Sequence, residues 1–295
     1  MVCRFVCVIA LVLLAGAPSA SADGPQASPG LMWGWTGVTA PNQPLRYVTL
    51  PARSQTVLAS VRRSSGRVWN WRSLNGMWGI PRVANDGTVG GLSRDGRLLF
   101  IADWNGPWKG GLRTTSRFLL VDAKTFRTWR KVVLRGDFGF DALSPDGGTL
   151  FLIERVSRRD LTSYRVRAYD VHTQRLLPRV IADRSQADWV MHGYPVTRAT
   201  SSNGRWAYTL YQQPNGGFPF VHALDTVRRT AICVGFPWRG NQDILPTTKL
   251  VLDERAEKLT LTTRRGRPLF EMNTKTFHVS RPPRHRAGFW GFLRL

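Results

Sequence analysis

Cysteine is nearly absent. The chain of 295 residues has three, and Cys3 and Cys7 lie at its extreme N-terminus. Cys233 is therefore the only cysteine in the body of the chain, which excludes a disulfide framework there. The core must come from apolar packing. Cys233 sits in the run Ala231-Ile232-Cys233-Val234, where a thiol reads as a small buried side chain. Metal-binding patterns are missing as well. No His-x-His, His-Glu-x-x-His, Cys-x-x-Cys or Asp-x-Asp calcium loop occurs, and the five His are scattered. Neither a metal nor a cofactor is expected on that ground. There is no Gly-x-Ser-x-Gly elbow and no Walker loop, so no residue is nominated as catalytic. Spacing alone would assemble an acid–base set from Asp183, Asp188 and His192 beside Ser185, which is slender support.

Acid is scarce too: 19 Asp and Glu stand against 42 Lys and Arg, for a net charge of +23. Only six of the basic residues are Lys. The excess is spread along the chain with no long basic block. It suits a soluble, self-repelling surface, or attraction to an anionic partner such as cell-wall polymer or phospholipid.

Only one long hydrophobic run exists, Phe5–Leu14. It follows Met1–Arg4 and precedes Ala20-Ser21-Ala22, the layout of a cleaved signal peptide over 1–22. The run is too short to cross about 30 Å of hydrocarbon. The expected location is therefore secreted or extracytoplasmic, associated with the cell surface, which argues against nucleic acid as a partner. Residues 23–45 read as a lead-in: Asp23–Gly30 is rich in Gly, Pro, Ser and Ala, and Leu31–Val38 carries two Trp that suit a strap or an added strand. At the other end, 284–295 reads as a basic, then apolar tail. It either folds back on the domain or makes peripheral contact with a membrane.

What the chain does have is a repeat. Leu92-Ser93-Arg94-Asp95-Gly96-Arg97, Leu143-Ser144-Pro145-Asp146-Gly147-Gly148 and Thr200-Ser201-Ser202-Asn203-Gly204-Arg205 align on one turn, and each precedes an apolar strand. A second set of turns begins at Asp122, Asp170, Asp225 and Asn273, where a short polar side chain bonds the backbone two residues on. Successive members of this set are roughly 50 residues apart, a spacing suited to four strands per repeat. Units at about 46–85, 89–135, 139–181, 195–237 and 246–283 predict an all-β fold: a β-propeller of about five four-stranded blades over 46–283. A β-sandwich need not repeat its turn chemistry at a fixed interval.

Leu143-Ser144-Pro145-Asp146-Gly147, the strand TLFLIE and then RVRAYDVHTQRLLPRVI resemble the YVTN/WD40-like family of bacterial β-propellers. The resemblance covers about 46–283 and is strongest in the three middle units. It lacks the Gly-His and Trp-Asp dipeptides of true WD40 repeats. It implies a fold and an exported, binding context, and no single activity.

Propeller topology puts the connections between strands 2 and 3, and between units, on one face. Every long loop falls there, and loops on a rigid scaffold are where sites usually form. They supply the candidate ligand-binding residues Trp104, Trp108, Lys109, Arg113, Arg158, Trp189, His192, Trp238 and Arg239. Aromatic planes beside guanidinium forks suit sugars and anionic groups. Asp141, Arg198 and Thr200 are the expected channel lining, with Asp141 and Arg198 placed to pair. The function expected is binding of an anionic or glycan-containing envelope component. The alternatives are a hydrolase or lyase acting on a sugar or lactone, and a scaffold for another envelope protein.

Overall fold

The computed structural model describes residues 28–105, 108–109, 111–183, 190–214, 217–239 and 241–282. The expected signal segment (1–22) and tail (284–295) lie outside the described residues, as do Ser185, Asp188 and Trp189.

The described chain is all-β. The first sheet is β2 (Gly34–Thr39), β3 (Leu45–Ala52), β4 (Gln55–Arg62) and β5 (Val68–Asn75). The second is β6 (Trp78–Pro81), β7 (Leu98–Asp103), β10 (Thr115–Asp122) and β11 (Thr128–Arg135), with β1 (Leu31–Met32) added beside β6. The third is β12 (Asp137–Leu143), β13 (Thr149–Arg155), β14 (Ser163–Asp170) and β15 (Arg175–Ile181), and β16 (Met191–His192) pairs with β14. The fourth is β17 (Tyr194–Thr200), β18 (Trp206–Gln212), β19 (Phe220–Asp225) and β20 (Thr230–Gly235). The fifth is β21 (Lys249–Asp253), β22 (Lys258–Thr262), β23 (Pro268–Asn273) and β24 (Val279–Ser280). A two-stranded ribbon, β8 (Trp108–Lys109) with β9 (Leu112–Arg113), rises from the second sheet's long loop.

Each sheet is an antiparallel meander in chain order, and neighbouring sheets share a core. Leu58 and Tyr47 meet Leu99 and Ile101 between the first and second sheets. Phe100 and Phe118 meet Phe138 and Phe140 between the second and third. Phe151 and Val166 meet Tyr211 and Phe220 between the third and fourth. Leu210 and Phe236 meet Leu259 and Phe270 between the fourth and fifth. Middle strands are thus covered on both faces, which is why β7 and β10 read as near-continuous apolar runs rather than as alternation. This stacking of consecutive meanders is the arrangement of a β-propeller and not of a two-sheet sandwich.

The two ends of the row differ. The far face of the first sheet carries the small cluster Val48, Ala59 and Val61, with Trp69 and Trp71 exposed on β5. The far face of the fifth sheet is polar: Lys258 bonds Glu271 at 3.1 Å, and Val251 is half exposed. Among the described residues no apolar core joins these two faces.

The repeated turns do what their residues suggest. Ser93, Ser144 and Ser201 donate to Asp95, Asp146 and Asn203 at 2.6, 2.5 and 2.8 Å, and accept the N–H of Leu98, Thr149 and Trp206. Gly147 then takes φ +73°, a conformation that costs a side chain. In the other set, Asp122, Asp170, Asp225 and Asn273 each accept two backbone N–H groups, two and three residues on. The next residue but three is left-handed in all four: Phe126, Gln174, Arg229 and Phe277.

The first unit corrects the sequence reading. The unit at about 46–85 takes in Trp78–Pro81, and Leu31–Val38 reads as a strap or an added strand. Instead β2 is the first strand of the first sheet, and β6 opens the second. Gly76, at φ +104°, turns the chain there, and the Trp78 indole donates to Asn75 O at 2.7 Å. Gly79 lets β1 close on β6: a Cβ there would meet the Leu31 Cβ at 2.7 Å.

Candidate functional site

Two cavities lie along the inner strands. One, of about 280 Å³, opens among the tight turns and is lined by Ser93, Arg94, Pro145, Arg198, Thr200 and Ser202, with others. The other, of about 60 Å³, lies beneath the long loops against Trp104, Arg113, Arg155, Tyr164 and Tyr211. Val83, Phe140 and Asp141 line both, so Asp141 stands between the two ends. Its pairing with Arg198 is direct. The guanidinium reaches Asp141 Oδ1 and the Asp141 carbonyl, and its Nε donates to Thr209 Oγ1 at 2.8 Å. Both side chains are buried. Asp141 Oδ2 and the Tyr164 hydroxyl are buried without a hydrogen bond of normal geometry.

A second ion cluster closes the long-loop end. Arg113 donates to Asp137 Oδ1 through Nε at 2.9 Å and Nη2 at 2.8 Å, and Arg155 Nη1 reaches the same oxygen at 3.4 Å. Burial lowers the Arg155 guanidinium against the pull of Asp137. Nearby, burial raises Asp103 even though the Asn105 N–H and Arg117 both favour its charge. Tyr164 and Tyr211 stack at 5.1 Å, and burial pushes both phenols well above their ordinary range.

The nominated loop residues are not brought to one point. Trp104 is 48% exposed and meets Trp33 edge-on at 5.3 Å. Arg113 is consumed by Asp137 at the wall of the smaller cavity. Arg158 is exposed. His192 is exposed on β16, where Nδ1 lies 3.0 Å from Asp160 Oδ2 and 3.1 Å from Ser163 Oγ. The Thr162 hydroxyl, with Ser163 and His192, holds the Asp160 carboxyl well below the usual range. Trp108 and Lys109 pair with Arg113 and Leu112 in the ribbon. Trp189 lies outside the described residues. Thr200 is exposed at the other cavity. Trp238 corrects the expectation of a presented ring: only 8% exposed, it packs on Phe270 at 5.6 Å and donates to Asn241 O at 3.2 Å. Its flank is apolar, and the fifth sheet's core claims it.

Around Trp238 the structure does assemble a site. A surface groove of about 710 Å³ is lined by Trp238, Arg239, Asn241, Arg267, Phe270 and Arg281, with Ile244, Leu269 and two prolines. Its residues come from the loop between β20 and β21, the β22–β23 turn with the start of β23, and the exit from β24. These are long-loop-face connections. The Arg281 guanidinium covers the Phe270 ring at 5.3 Å and donates to Pro237 O at 3.1 Å. Arg239 and Arg267 are exposed. Among the described residues no carboxylate lines the groove. The sequence reading found Trp238 and Arg239 but missed Arg267 and Arg281. Their only signal was two Arg-Pro pairs, distant from Trp238 along the chain, which line one groove with it only in the fold.

Fold and groove together define a propeller-type repeat protein with its long loops, and a basic groove, on one face. No family model matches the chain, and no curated protein matches it. Solved structures resemble it at low identity. The Cps50 (Swd1) β-propeller domain of Myceliophteria thermophila is 13% identical, with 80% of this chain and 62% of that one covered and a TM-score of 0.44. An oligogalacturonate lyase in complex with manganese is 13% identical over 87% and 66%, at 0.49. The Dos1 propeller is 10% identical over 82% and 60%, at 0.40. The chain thus spans less than two thirds of the length of each of these three.

Proposed function

We propose that the protein is an exported, non-catalytic, five-bladed β-propeller. In this reading it binds an anionic, glycan-containing component of the cell envelope through its long-loop face. The observation that carries this reading is the groove beside Trp238. Arg239, Arg267 and Arg281 present positive charge around a groove whose apolar wall includes Pro268, Leu269 and Pro282, with the buried Trp238 and Phe270 behind it. Guanidinium forks hold carboxylate or phosphate in two-point contact. Apolar wall groups suit the less polar face of a sugar ring. An enzyme needs carboxylates or His converging with a proton to move. Asp137 and Asp141 are held by arginines in buried pairs, and the one carboxylate–imidazole contact among the described residues, Asp160 with His192, is exposed and apart from the Trp238 groove.

Titration of the protein with a carboxylated polysaccharide and with a neutral one of equal length tests the proposal. Binding of the acidic chain, weakened at least tenfold in Arg239→Ala/Arg267→Ala, supports it. Equal binding of both chains, unmoved by that variant, overturns it.

A further inference from the structure

Three soft donors meet between the third and fourth sheets, away from the groove. Cys233 on β20 and His222 on β19 are direct cross-strand partners, so their side chains share one face. Cys233 Sγ lies 3.5 Å from His222 Nδ1 and 3.9 Å from Met191 Sδ on β16. Met191 and His222 are buried, at 2% and 1% exposure. The other imidazole nitrogen, His222 Nε2, has no hydrogen-bond partner. The nitrogen that faces the sulfur is Nδ1, so a group held between the three side chains would meet His222 through that atom.

We infer that Met191, His222 and Cys233 form a binding site for a soft monovalent metal ion, Cu(I) being the fitting one. The two separations made by Cys233 are those such an ion needs. With metal–sulfur bonds of about 2.3 Å and a metal–nitrogen bond of about 2.0 Å, a trigonal site separates its sulfurs by about 4.0 Å and sulfur from nitrogen by about 3.7 Å. The two separations from Cys233 Sγ match within a few tenths of an ångström. The donor set selects the ion: thiolate with thioether favours Cu(I) over hard cations and over ions that prefer oxygen. Charge agrees. Binding forms the metal–sulfur bond, and the thiol proton leaves to solvent. One thiolate and one monovalent cation leave the buried site neutral, whereas a divalent ion would leave a net charge.

An outer partner is present. Asp183 Oδ2 accepts the Cys233 N–H at 2.7 Å and so fixes the strand that carries the thiol. Supporting groups of this kind orient metal ligands. The absence of linear metal motifs does not bear on such a site, because its ligands come from three strands of two sheets.

The test uses the full chain carrying Cys3→Ser and Cys7→Ser, so that Cys233 is its only thiol. Cu(I) held by bicinchoninate under ascorbate is titrated with this protein and with Cys233→Ser and Met191→Leu in the same background. The inference predicts that one equivalent of Cu(I) is withdrawn. Cys233→Ser should abolish this, and the volume-conserving Met191→Leu should weaken it at least tenfold while melting as the parent does. X-ray absorption of the loaded protein should show two sulfur neighbours and one nitrogen. If no copper is withdrawn, or Cys233→Ser withdraws as much as the parent, the inference is wrong.

Discussion

Arg198 on β17 and Asp141 on β12 form a buried ion pair that ties the inner strand of the fourth sheet to that of the third. The arginine extends the tie along its own sheet through Thr209, which is in turn the cross-strand partner of His222. A buried pair is seldom a net gain over apolar packing, but removing one partner leaves the other charge stranded. Arg198→Met should therefore destabilise the fold by about 3–5 kcal/mol. Arg198→Met with Asp141→Leu should recover most of that loss. Denaturant unfolding of the two variants and the parent checks this; equal stability of single and double variants would refute it.

His222 predicts a pH effect. Burial lowers its pKa from 6.5 to about 4 in the folded chain. The unfolded chain takes up the proton first as pH falls. Stability should therefore decline from pH 6.5 towards pH 4, and His222→Phe should remove that decline. Thermal melts across this range read it directly.

Below that range the turn carboxylates act in the same direction. Thr125 and its hydroxyl lower Asp122, Ser144 lowers Asp146, and the Thr173 N–H lowers Asp170. Burial alone would raise Asp225, but the Arg205 hydrogen bonds hold it low. A depressed acid stabilises above its unfolded pKa and ceases to do so as pH drops through its folded one. A further acid transition is expected below about pH 4, where unfolded Asp begins to bind protons. In Asp170→Asn, which keeps an acceptor but has no charge to lose, that transition should be shallower.

Cys233 should be a slow nucleophile. Burial pushes its thiol up to about 12, so thiolate is rare at neutral pH. In the background lacking Cys3 and Cys7, iodoacetamide should label it at least a hundredfold faster in denaturant than in the native protein. Comparable rates in the two conditions would place the thiol in an open, activating setting instead.

Much of the scaffold was legible because it rests on local chemistry. Ser144, Asp146 and Gly147 specify their turn within six residues, and Asp170 does the same for the next one. The phase of the first unit was not legible. Trp78–Pro81 has the apolar look of any strand, and only its pairing with β7 and β1 assigns it to the second sheet. Sites failed for a similar reason. Trp238 looks like a presented ring in a loop, but Phe270, far along the chain, turns it inward. Arg267 and Arg281 join Arg239 only when three connections meet. Met191, His222 and Cys233 share no spacing that a linear pattern can show.

The central claim is that the long-loop face recognises an anionic glycan through the Arg239–Arg267–Arg281 groove. Its most direct test is the binding isotherm of a carboxylated polysaccharide at low and at physiological salt, for the parent and for Arg239→Ala/Arg267→Ala. The account predicts that the parent still binds at physiological salt, where unspecific surface attraction is largely screened, and that the variant is at least tenfold weaker there. Binding by the parent that vanishes at physiological salt, or that the variant retains in full, would contradict it.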